Sequence, residues 1–199
     1  TSVRSPARIV TPICYEDTDP FLGRHYGAES ADLFHQFVGQ PVGDFLHELL
    51  YETEPEQINP PAGPVDFFVN ISNDGWYAGT SEHNEHLAIA RFRAVETRKS
   101  VARAVNMGIS AVIDPNGRVL QPRLVDRDTH ADYWDISPLE GGIPDLPLGE
   151  WNKFKQKSGV LTAIVPIDQR VTLYSQLGDW LPGFCWLAIT AGLVFAVMP

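Results

Sequence analysis

The end of the chain constrains the fold more than any other stretch. Trp180 to Met198 contains 19 residues without a charged side chain, which is long enough to cross the hydrocarbon core of a bilayer. Trp180 and Trp186 lie where interfacial tryptophans are common. The alternative is a buried helix at the end of a domain, but buried helices seldom need so long an uncharged run. We therefore predict a transmembrane helix over residues 180–198.

Composition indicates that the remainder is globular. The chain has 199 residues, of which 44% are hydrophobic and 20% charged, so it can bury one sizeable core. A formal net charge of −10 argues against nucleic acid binding, which needs a basic surface. Cys14 and Cys185 are too few for a disulfide framework. The first residue is Thr1 rather than Met, and no signal peptide follows, so we expect earlier parts of a parent protein to precede it.

A cysteine ends the first predicted strand. Ile9 to Ile13 is a short apolar run, and Cys14 follows it at the carboxyl end, where α/β sheets present catalytic groups. The adjacent acidic residues Glu16 and Asp17 oppose formation of a thiolate, so a nucleophile here would need a base or a cation from elsewhere. The alternative is that Cys14 is a small buried core residue, as free cysteines commonly are.

A second buried strand is predicted over residues 65–72. It ends in a polar turn that two aromatic residues follow, and this turn is either a pocket wall or an ordinary turn with packing aromatic residues. The residues concerned are Asn73, Asp74, Gly75, Trp76 and Tyr77.

A helix is predicted from an N-cap at Ser81 to about Arg98. Ile89, Phe92 and Val95 recur every three residues and are predicted to face the core, with Leu87, Ala90 and Ala94 beside them. The charged residues Arg91, Arg93 and Glu96 are spaced for ion pairs within the helix.

Two histidines one turn apart, His83 and His86, have a spacing that can bind zinc. Their order along the chain differs from that of zinc proteases, and no third ligand is evident, so no metal site is predicted.

Further strands are predicted over residues 100–105, 109–113, 118–120 and 159–167, with a turn at Asp114–Gly117. Two stretches interrupt this pattern, and we predict them to be insertions. Residues 18–64 form a long polar and aromatic segment. Residues 121–158 form a surface segment with Trp134 and Trp151 as anchors.

The order of these motifs resembles the nitrilase superfamily of carbon–nitrogen hydrolases. The motifs are Ile-Cys-Tyr-Glu, Ile-Ser-Asn-Asp-Gly-Trp-Tyr, a helix with His-Leu-x-x-Ala-Arg-x-Arg-Ala-x-Glu, and Asn-x-Gly-Ile-Ser-Ala-Val-Ile-Asp-Pro-x-Gly-Arg. The first two look specifically like the membrane branch, the apolipoprotein N-acyltransferases. The resemblance covers residues 7–18, 65–120 and 159–198.

The resemblance implies a fold class and a division of the chain. The fold would be α/β, a partial nitrilase-like αββα sandwich followed by a transmembrane helix. Residues 1–179 would be the carboxyl-terminal part of the catalytic domain and residues 180–198 the membrane helix.

The resemblance also implies a Glu-Lys-Cys triad. Cys14 matches the nucleophile, while the Glu and the Lys would lie upstream, so that residues 1–199 alone should be inactive. Tyr15 and Glu16 would support the oxyanion and the nucleophile. A loop beside the substrate would consist of Asn73, Asp74, Trp76 and Tyr77. Met107 departs from the branch, which usually has a second asparagine there.

The implied reaction transfers an acyl chain from a phospholipid, through a cysteine thioester, to the amino-terminal diacylglyceryl-cysteine of an apolipoprotein. No cofactor or metal is implied. The implied location is the bacterial inner membrane, with the catalytic domain on the periplasmic side. One alternative is a hydrolase of the same superfamily that acts on a small amide or nitrile. A second alternative is a non-catalytic membrane-anchored module.

Overall fold

The computed structural model describes residues 7–14, 64–125, 131–178 and 180–197. The predictions for Tyr15, Glu16 and the segment at residues 18–64 lie outside the described residues, apart from the last position, Pro64.

The first sheet has four strands in the order β1-β2-β3-β4. They are β1 (Ile9–Val10), β2 (Phe67–Asn73), β3 (Ser100–Asn106) and β4 (Ala111–Ile113). The first three strands are parallel, and β4 is antiparallel to β3. A tight turn at Asp114–Gly117 follows β4, as predicted, and brings Val119 back to bridge Ile113.

The second sheet has three strands in the order β5-β6-β7. They are β5 (Arg123–Val125), β6 (Asp132–Ile136) and β7 (Gly159–Ala163). Strands β5 and β6 are antiparallel, whereas β6 and β7 are parallel. The two sheets contact each other through Val112, Leu120 and Ile136, which form a small apolar core. The α/β class is therefore confirmed, with two mixed sheets.

The long helix α1 (Glu82–Thr97) packs on the first sheet with only part of the face that the sequence predicted. Phe92 is 63% exposed and Val95 is 40% exposed, so the prediction of an inward stripe through these residues is wrong. Leu87, Ala90 and Ala94, which were predicted to lie beside that stripe, are fully buried, and the other buried residues are His83, His86 and Thr97. Small side chains let the helix axis approach the sheet closely, and large apolar side chains on the neighbouring face then point outward.

The beginning of α1 also differs from the prediction. Ser81 makes no hydrogen bond to a backbone N–H, and its hydroxyl donates instead to Oε1 of Glu85 at 2.6 Å. Thr80 Oγ1 accepts from the backbone N–H of Glu82 at 3.2 Å. Within the helix, the predicted ion pair between Arg93 and Glu96 is confirmed at 2.8 Å.

Residues 121–158 are part of the folded domain wherever the structure describes them. They supply β5, β6 and a 3₁₀ helix at Leu148–Phe154. Trp151 is fully buried in the main core, and its indole N–H donates to the carbonyl of Leu146 at 3.2 Å. The predicted anchoring by Trp151 is confirmed, but the described part of the segment belongs to the core and not only to the surface. That the segment is an insertion stays a prediction. Short strands and turns rich in Pro and Gly carry little periodicity, which is why the sequence pattern did not indicate a core segment.

Residues 164–178, which we call the strap, follow β7 and lead toward the last helix. The strap includes the short helix α2 (Leu173–Leu177) and is held to the first sheet and α1 by side chains that donate to backbone carbonyls. Lys99 Nζ donates to the carbonyl of Asp168 at 3.0 Å, and Ser100 donates to that of Pro166. Thr172 donates to the carbonyl of Glu96.

The last helix, α3 (Trp180–Val197), has 18 residues. Within the residues described, no helix is long and apolar enough to cross a membrane, so the predicted span is not confirmed. At 1.5 Å per residue the helix measures about 27 Å, and a hydrocarbon core measures about 30 Å.

Candidate functional site

The carboxyl ends of β1, β2 and β3 meet at one edge of the first sheet, because the three strands are parallel. Ile13 bridges Ile71 in parallel register, and Asn73 pairs with Asn106. Cys14 therefore comes to the same edge as the turn after β2 and the turn after β3. Open α/β sheets bind their ligands at such an edge.

Cys14 has a left-handed backbone, with φ of 55°, and is half-buried. A non-glycine residue in this region costs about 1–3 kcal/mol, and such strain persists only where the surroundings enforce it. Strained residues cluster at functional sites, so the conformation itself marks Cys14 as a candidate.

A fully buried asparagine, Asn70 of β2, enforces the bend at Cys14. Its Nδ2 donates to the carbonyl of Pro12 at 3.2 Å and to the carbonyl of Cys14 at 3.3 Å. The backbone N–H of Ile71 also donates to the Pro12 carbonyl, at 3.3 Å. The strand containing the cysteine is thus held on both sides of Ile13.

The turn after β2 is a short 3₁₀ helix, Asp74–Tyr77. Asn73 caps it, since its Oδ1 accepts from the N–H of Gly75 at 3.2 Å and from Nδ2 of Asn106 at 3.1 Å. Trp76 is 84% exposed and Tyr77 lies at the surface beside it. The exposed indole lies at the sheet edge to which Cys14 also comes, and it can contact a ligand there without any rearrangement of the core.

Asp74 points away from this surface and into the protein, where it is 1% exposed. Its Oδ1 accepts from the Ser72 hydroxyl at 2.7 Å and lies 3.0 Å from His86 Nδ1. Its Oδ2 lies 3.8 Å from Nη2 of Arg103. An ionised carboxylate can only accept, so His86 Nδ1 is the donor in this contact. We call Ser72, Asp74, His86 and Arg103 the Asp74 cluster.

The Asp74 cluster keeps its carboxylate ionised although it is buried. Burial by itself raises the pKa of Asp74, but the hydrogen bonds from His86 and Ser72 and the charges of His86 and Arg103 outweigh it. The result is a pKa below the ordinary value of 3.8. The Asp74 carboxylate is therefore a buried negative charge beneath the turn, offset by the cationic groups around it.

Two further side chains tie the Asp74 cluster to its surroundings. His83 Nε2 lies 2.9 Å from the backbone carbonyl of Asp74, and Arg103 donates to the carbonyl of His86 at 3.3 Å. Both histidines of the pair considered for zinc thus contact Asp74. No group of three or more metal-ligating side chains occurs within the part of the chain that the structure describes.

The turn after β3 packs against the turn after β2. A Cβ on Gly108 would lie 2.5 Å from Oδ2 of Asp74, so only glycine allows this approach. Met107 has a left-handed backbone, with φ of 65°, and its Cγ would lie 3.4 Å from a Cβ on Gly75. Met107 is partly exposed and lies beside the 3₁₀ turn.

A largely apolar, open cavity of about 400 Å³ lies between the two sheets, and Arg103, Ser110 and Lys157 are among its lining residues. Its walls come from β2, β3 and β4 on one side and from β6, β7 and the 3₁₀ helix on the other, including Val69, Ala102, Trp134, Phe154 and Leu161. The Asp74 cluster consists largely of residues on the opposite, α1-facing side of the first sheet.

Among the predicted site residues, the structure brings Cys14, Asn73, Trp76 and Tyr77 to one edge, while Asp74 is placed in the core beneath them. Sequence reasoning missed Asn70, Ser72 and Arg103. The signal was present, because polar residues at alternating positions of an otherwise apolar strand must find partners inside the protein.

Comparison with known proteins agrees with this geometry. The sequence profile of the carbon-nitrogen hydrolase family matches residues 61–129, which include β2, the 3₁₀ turn, α1 and β3. Residues 61–129 are therefore assigned to the carbon–nitrogen hydrolase family.

Several curated relatives of the chain are named apolipoprotein N-acyltransferases. Apolipoprotein N-acyltransferase 2 of Leptospira interrogans is 36% identical over 187 residues, covering 84% of this chain and 25% of the relative. The enzyme of Caulobacter vibrioides is 32% identical, covering 74% and 22%. The enzyme of Agrobacterium fabrum is 44% identical over 82 residues, covering 40% and 16%. The chain spans a quarter or less of the length of these three relatives.

Proposed function

We propose that Cys14 is the nucleophile of an N-acyltransferase. The enzyme would move an acyl chain from a phospholipid to the α-amine of the amino-terminal diacylglyceryl-cysteine of an apolipoprotein. The observation that carries the proposal is the left-handed backbone of Cys14 at the carboxyl end of β1, beside the 3₁₀ turn. The names of the relatives supply the substrate class.

The reaction proceeds in two steps through Cys14. The thiolate attacks the ester carbonyl of the phospholipid, the carbon–oxygen bond breaks, and the lysophospholipid leaves with the proton that the thiol gave up. The α-amine of the acceptor then attacks the thioester. The carbon–sulfur bond breaks, an amide forms, and the thiolate is regenerated as the amine loses a proton.

The groups that complete the site are assigned outside the described residues. A glutamate upstream of Cys14 would take the thiol proton, and an upstream lysine together with the N–H of Tyr15 would stabilise the oxyanion. Glu16 would support this arrangement. On this assignment residues 1–199 hold one member of the triad and do not turn over alone.

The exposed surface near Cys14 is suited to a lipid substrate. Trp76 offers a broad apolar face at the edge of the sheet, and Met107 and Ile71 are exposed near it. We assign these residues to the acyl chain, and Asn73 and Tyr77 to polar groups of the substrates.

Contact with the lipid surface is assigned to α3. Its described side chains are exposed and none is charged, and the most exposed include Trp186, Leu187 and Phe195. An apolar surface of this size is costly in water and is typical of a membrane or protein contact. Both proposed substrates are held in lipid, so an enzyme that contacts the bilayer reaches them without extracting them. A periplasmic position of the catalytic site is part of the same proposal.

The test is mass spectrometry of the Cys14 peptide after the full-length protein has been incubated with a defined phosphatidylethanolamine. We expect a mass increase equal to one acyl chain that hydroxylamine removes, as a thioester requires. The Cys14→Ala variant should show no increase, whereas Cys185→Ala, which removes the other cysteine, should behave as the wild type. An unmodified Cys14 would contradict the transferase.

A hydrolase of small amides is the second candidate. It is favoured by the family match, which covers the scaffold of the site and is named for carbon–nitrogen hydrolysis. Release of ammonia from small amides, dependent on Cys14 and without an acyl-enzyme from phospholipid, would replace the transferase by this function. Absence of both activities in the full-length protein would favour a non-catalytic module.

A further inference from the structure

We propose that Asn70 is a positioning residue that sets the direction of the oxyanion-binding N–H next to Cys14. The inference rests on the proposed function, because it gives Asn70 a role relative to Cys14 as nucleophile. Asn70 would touch neither the substrate nor the thiol, and would act through the backbone of the cysteine.

The contacts of Asn70 are unusual for a residue in the middle of a strand. Its amide leaves β2 toward α1, is fully buried, and donates from one nitrogen to the carbonyls of Pro12 and Cys14, at 3.2 and 3.3 Å. The two carbonyls lie on either side of Ile13, so a single amide group spans the bend at which the strand ends.

The orientation of this amide follows from its surroundings. Rotation by half a turn would bring Oδ1 against two carbonyl oxygens, which cannot donate, so Nδ2 must face them. Within the described residues Oδ1 is buried and has no hydrogen-bond partner. Leaving a buried acceptor unsatisfied is costly, and the strand retains Asn70 at that cost.

Planarity of the peptide group links Asn70 to catalysis. In a trans peptide group, the carbonyl and the N–H that follows it lie in one plane and point in opposite directions. A hydrogen bond that fixes the carbonyl therefore fixes the N–H as well. The left-handed φ of 55° at Cys14 is a strained state that this bond helps to hold.

The consequence concerns the transition state more than substrate binding. An N–H aimed at the developing oxyanion stabilises the tetrahedral intermediate, and removal of one such donor typically lowers kcat by about 100- to 1000-fold. In variants of Asn70 the backbone N–H is still present, but its direction is no longer fixed toward the oxyanion. We therefore expect a smaller loss, of about 10- to 100-fold in kcat for acyl-enzyme formation, with KM for phospholipid unchanged.

The experiment compares two reactions of the same thiol in the full-length protein. Acyl-enzyme formation from phosphatidylethanolamine is followed by rapid quench and mass spectrometry, and alkylation by iodoacetamide is followed across a range of pH. Alkylation needs the thiolate but no oxyanion. In Asn70→Leu and Asn70→Asp, which keep the approximate size and cannot donate to the carbonyls, we expect slow acylation with an unchanged alkylation profile.

Two further variants separate positioning from folding. Asn70→Thr keeps one hydroxyl donor on a residue suited to a strand, so it should recover part of the acylation rate. Ser100→Ala removes an equally buried side chain that donates to a backbone carbonyl at the other end of the sheet. It should lower the melting temperature and alter neither reaction of Cys14.

The outcomes distinguish the two proposals. Wild-type protein that forms no acyl-enzyme would overturn the proposed function, and this inference with it. If the wild type acylates and folded Asn70→Leu and Asn70→Asp acylate equally fast, only the role of Asn70 is overturned. That role is likewise overturned if acylation and alkylation fall in equal proportion, or if Asn70→Thr recovers nothing.

Discussion

Asp74 connects the exposed turn of the site to the protein core. Its backbone begins the exposed turn that carries Trp76, while its carboxylate is buried and contacts Ser72, His86 and Arg103. Its Oδ1 is hydrogen-bonded by Ser72 and His86, and Arg103 lies 3.8 Å from its Oδ2, which offsets the cost of burying the charge. The turn is therefore fixed at its first residue by interactions inside the protein, and its exposed indole has a rigid base.

Asp74→Asn should destabilise the protein more than its change in size suggests. The substitution keeps the shape but removes the buried negative charge that faces His86 and Arg103, and loss of a charged hydrogen-bond acceptor typically costs about 1.5–3 kcal/mol. The free energy of unfolding, measured with urea, should fall accordingly. Asp114→Asn is the matched control, because Asp114 is equally buried but its partner Arg118 is half-exposed and can be solvated. Equal losses in both variants would contradict a special role for the Asp74 cluster.

The loss of stability in Asp74→Asn should depend on pH, and this dependence provides an internal control. The pKa of Asp74 is lower in the folded protein than its ordinary value of 3.8. Its ionised form therefore contributes stability above about pH 4, and this contribution is lost as pH falls through the folded pKa. The difference in melting temperature between wild type and Asp74→Asn should shrink below pH 4. A difference that stays constant down to pH 2 would exclude the carboxylate charge as its cause.

Among the elements, α1 is the one that organises the site. Its buried face supplies both His83 and His86 to Asp74, and Ala90 and Ala94 bring it close to the first sheet. Because both contacts to Asp74 are about 3 Å long, the distance between helix and sheet is part of the geometry of the site. Small residues on the buried face are what make this distance possible.

Ala94→Leu should therefore be more harmful than removal of a large side chain from the same helix. A leucine at this fully buried position overpacks the contact with the sheet, which typically costs about 1–3 kcal/mol. Phe92→Ala removes an aromatic ring that is mainly in solvent and should change stability by about 0.5 kcal/mol or less. Thermal unfolding of the two variants checks this order. The reverse order would restore the face of α1 that the hydrophobic pattern predicted.

For the whole molecule, the strap and α3 connect the sheets to the proposed lipid surface. Lys99 and Thr172 anchor the strap through backbone carbonyls, so the chain leaves the domain from a defined place on α1 and β3. Beyond it, α3 exposes apolar side chains continuously. This asymmetry separates a folded, acidic domain from one apolar helix.

The protein should bind phospholipid vesicles through α3. We expect the wild type to float with vesicles in a density gradient, since burial of exposed apolar side chains favours the lipid surface. A double variant, Leu187→Asp and Phe195→Asp, should stay in the dense fraction. Phe92→Asp places a charge on an apolar side chain of similar exposure on α1 and should float as the wild type does. Flotation of all three proteins alike would exclude α3 as the contact.

Much of this organisation could be predicted from the sequence, because it depends on local chemistry. Apolar runs that end in polar residues indicated β1, β2 and β3, the Asp-Pro-Asn-Gly turn was recognisable, and the order of motifs led to the family. The orientation of Phe92 and Val95 on α1 could not be predicted in the same way. Hydrophobic periodicity favours large residues, whereas close packing on a sheet favours alanine.

What the sequence determined by itself was where strands and turns lie and which residue is the candidate nucleophile, since these depend on neighbours along the chain. Only the tertiary structure decided that Asn70 holds the Cys14 backbone, that Asp74 is buried beneath its turn, and that residues 131–158 contribute to the core. Those relations join residues dozens of positions apart. They depend on strand register and helix distance, which no local pattern encodes.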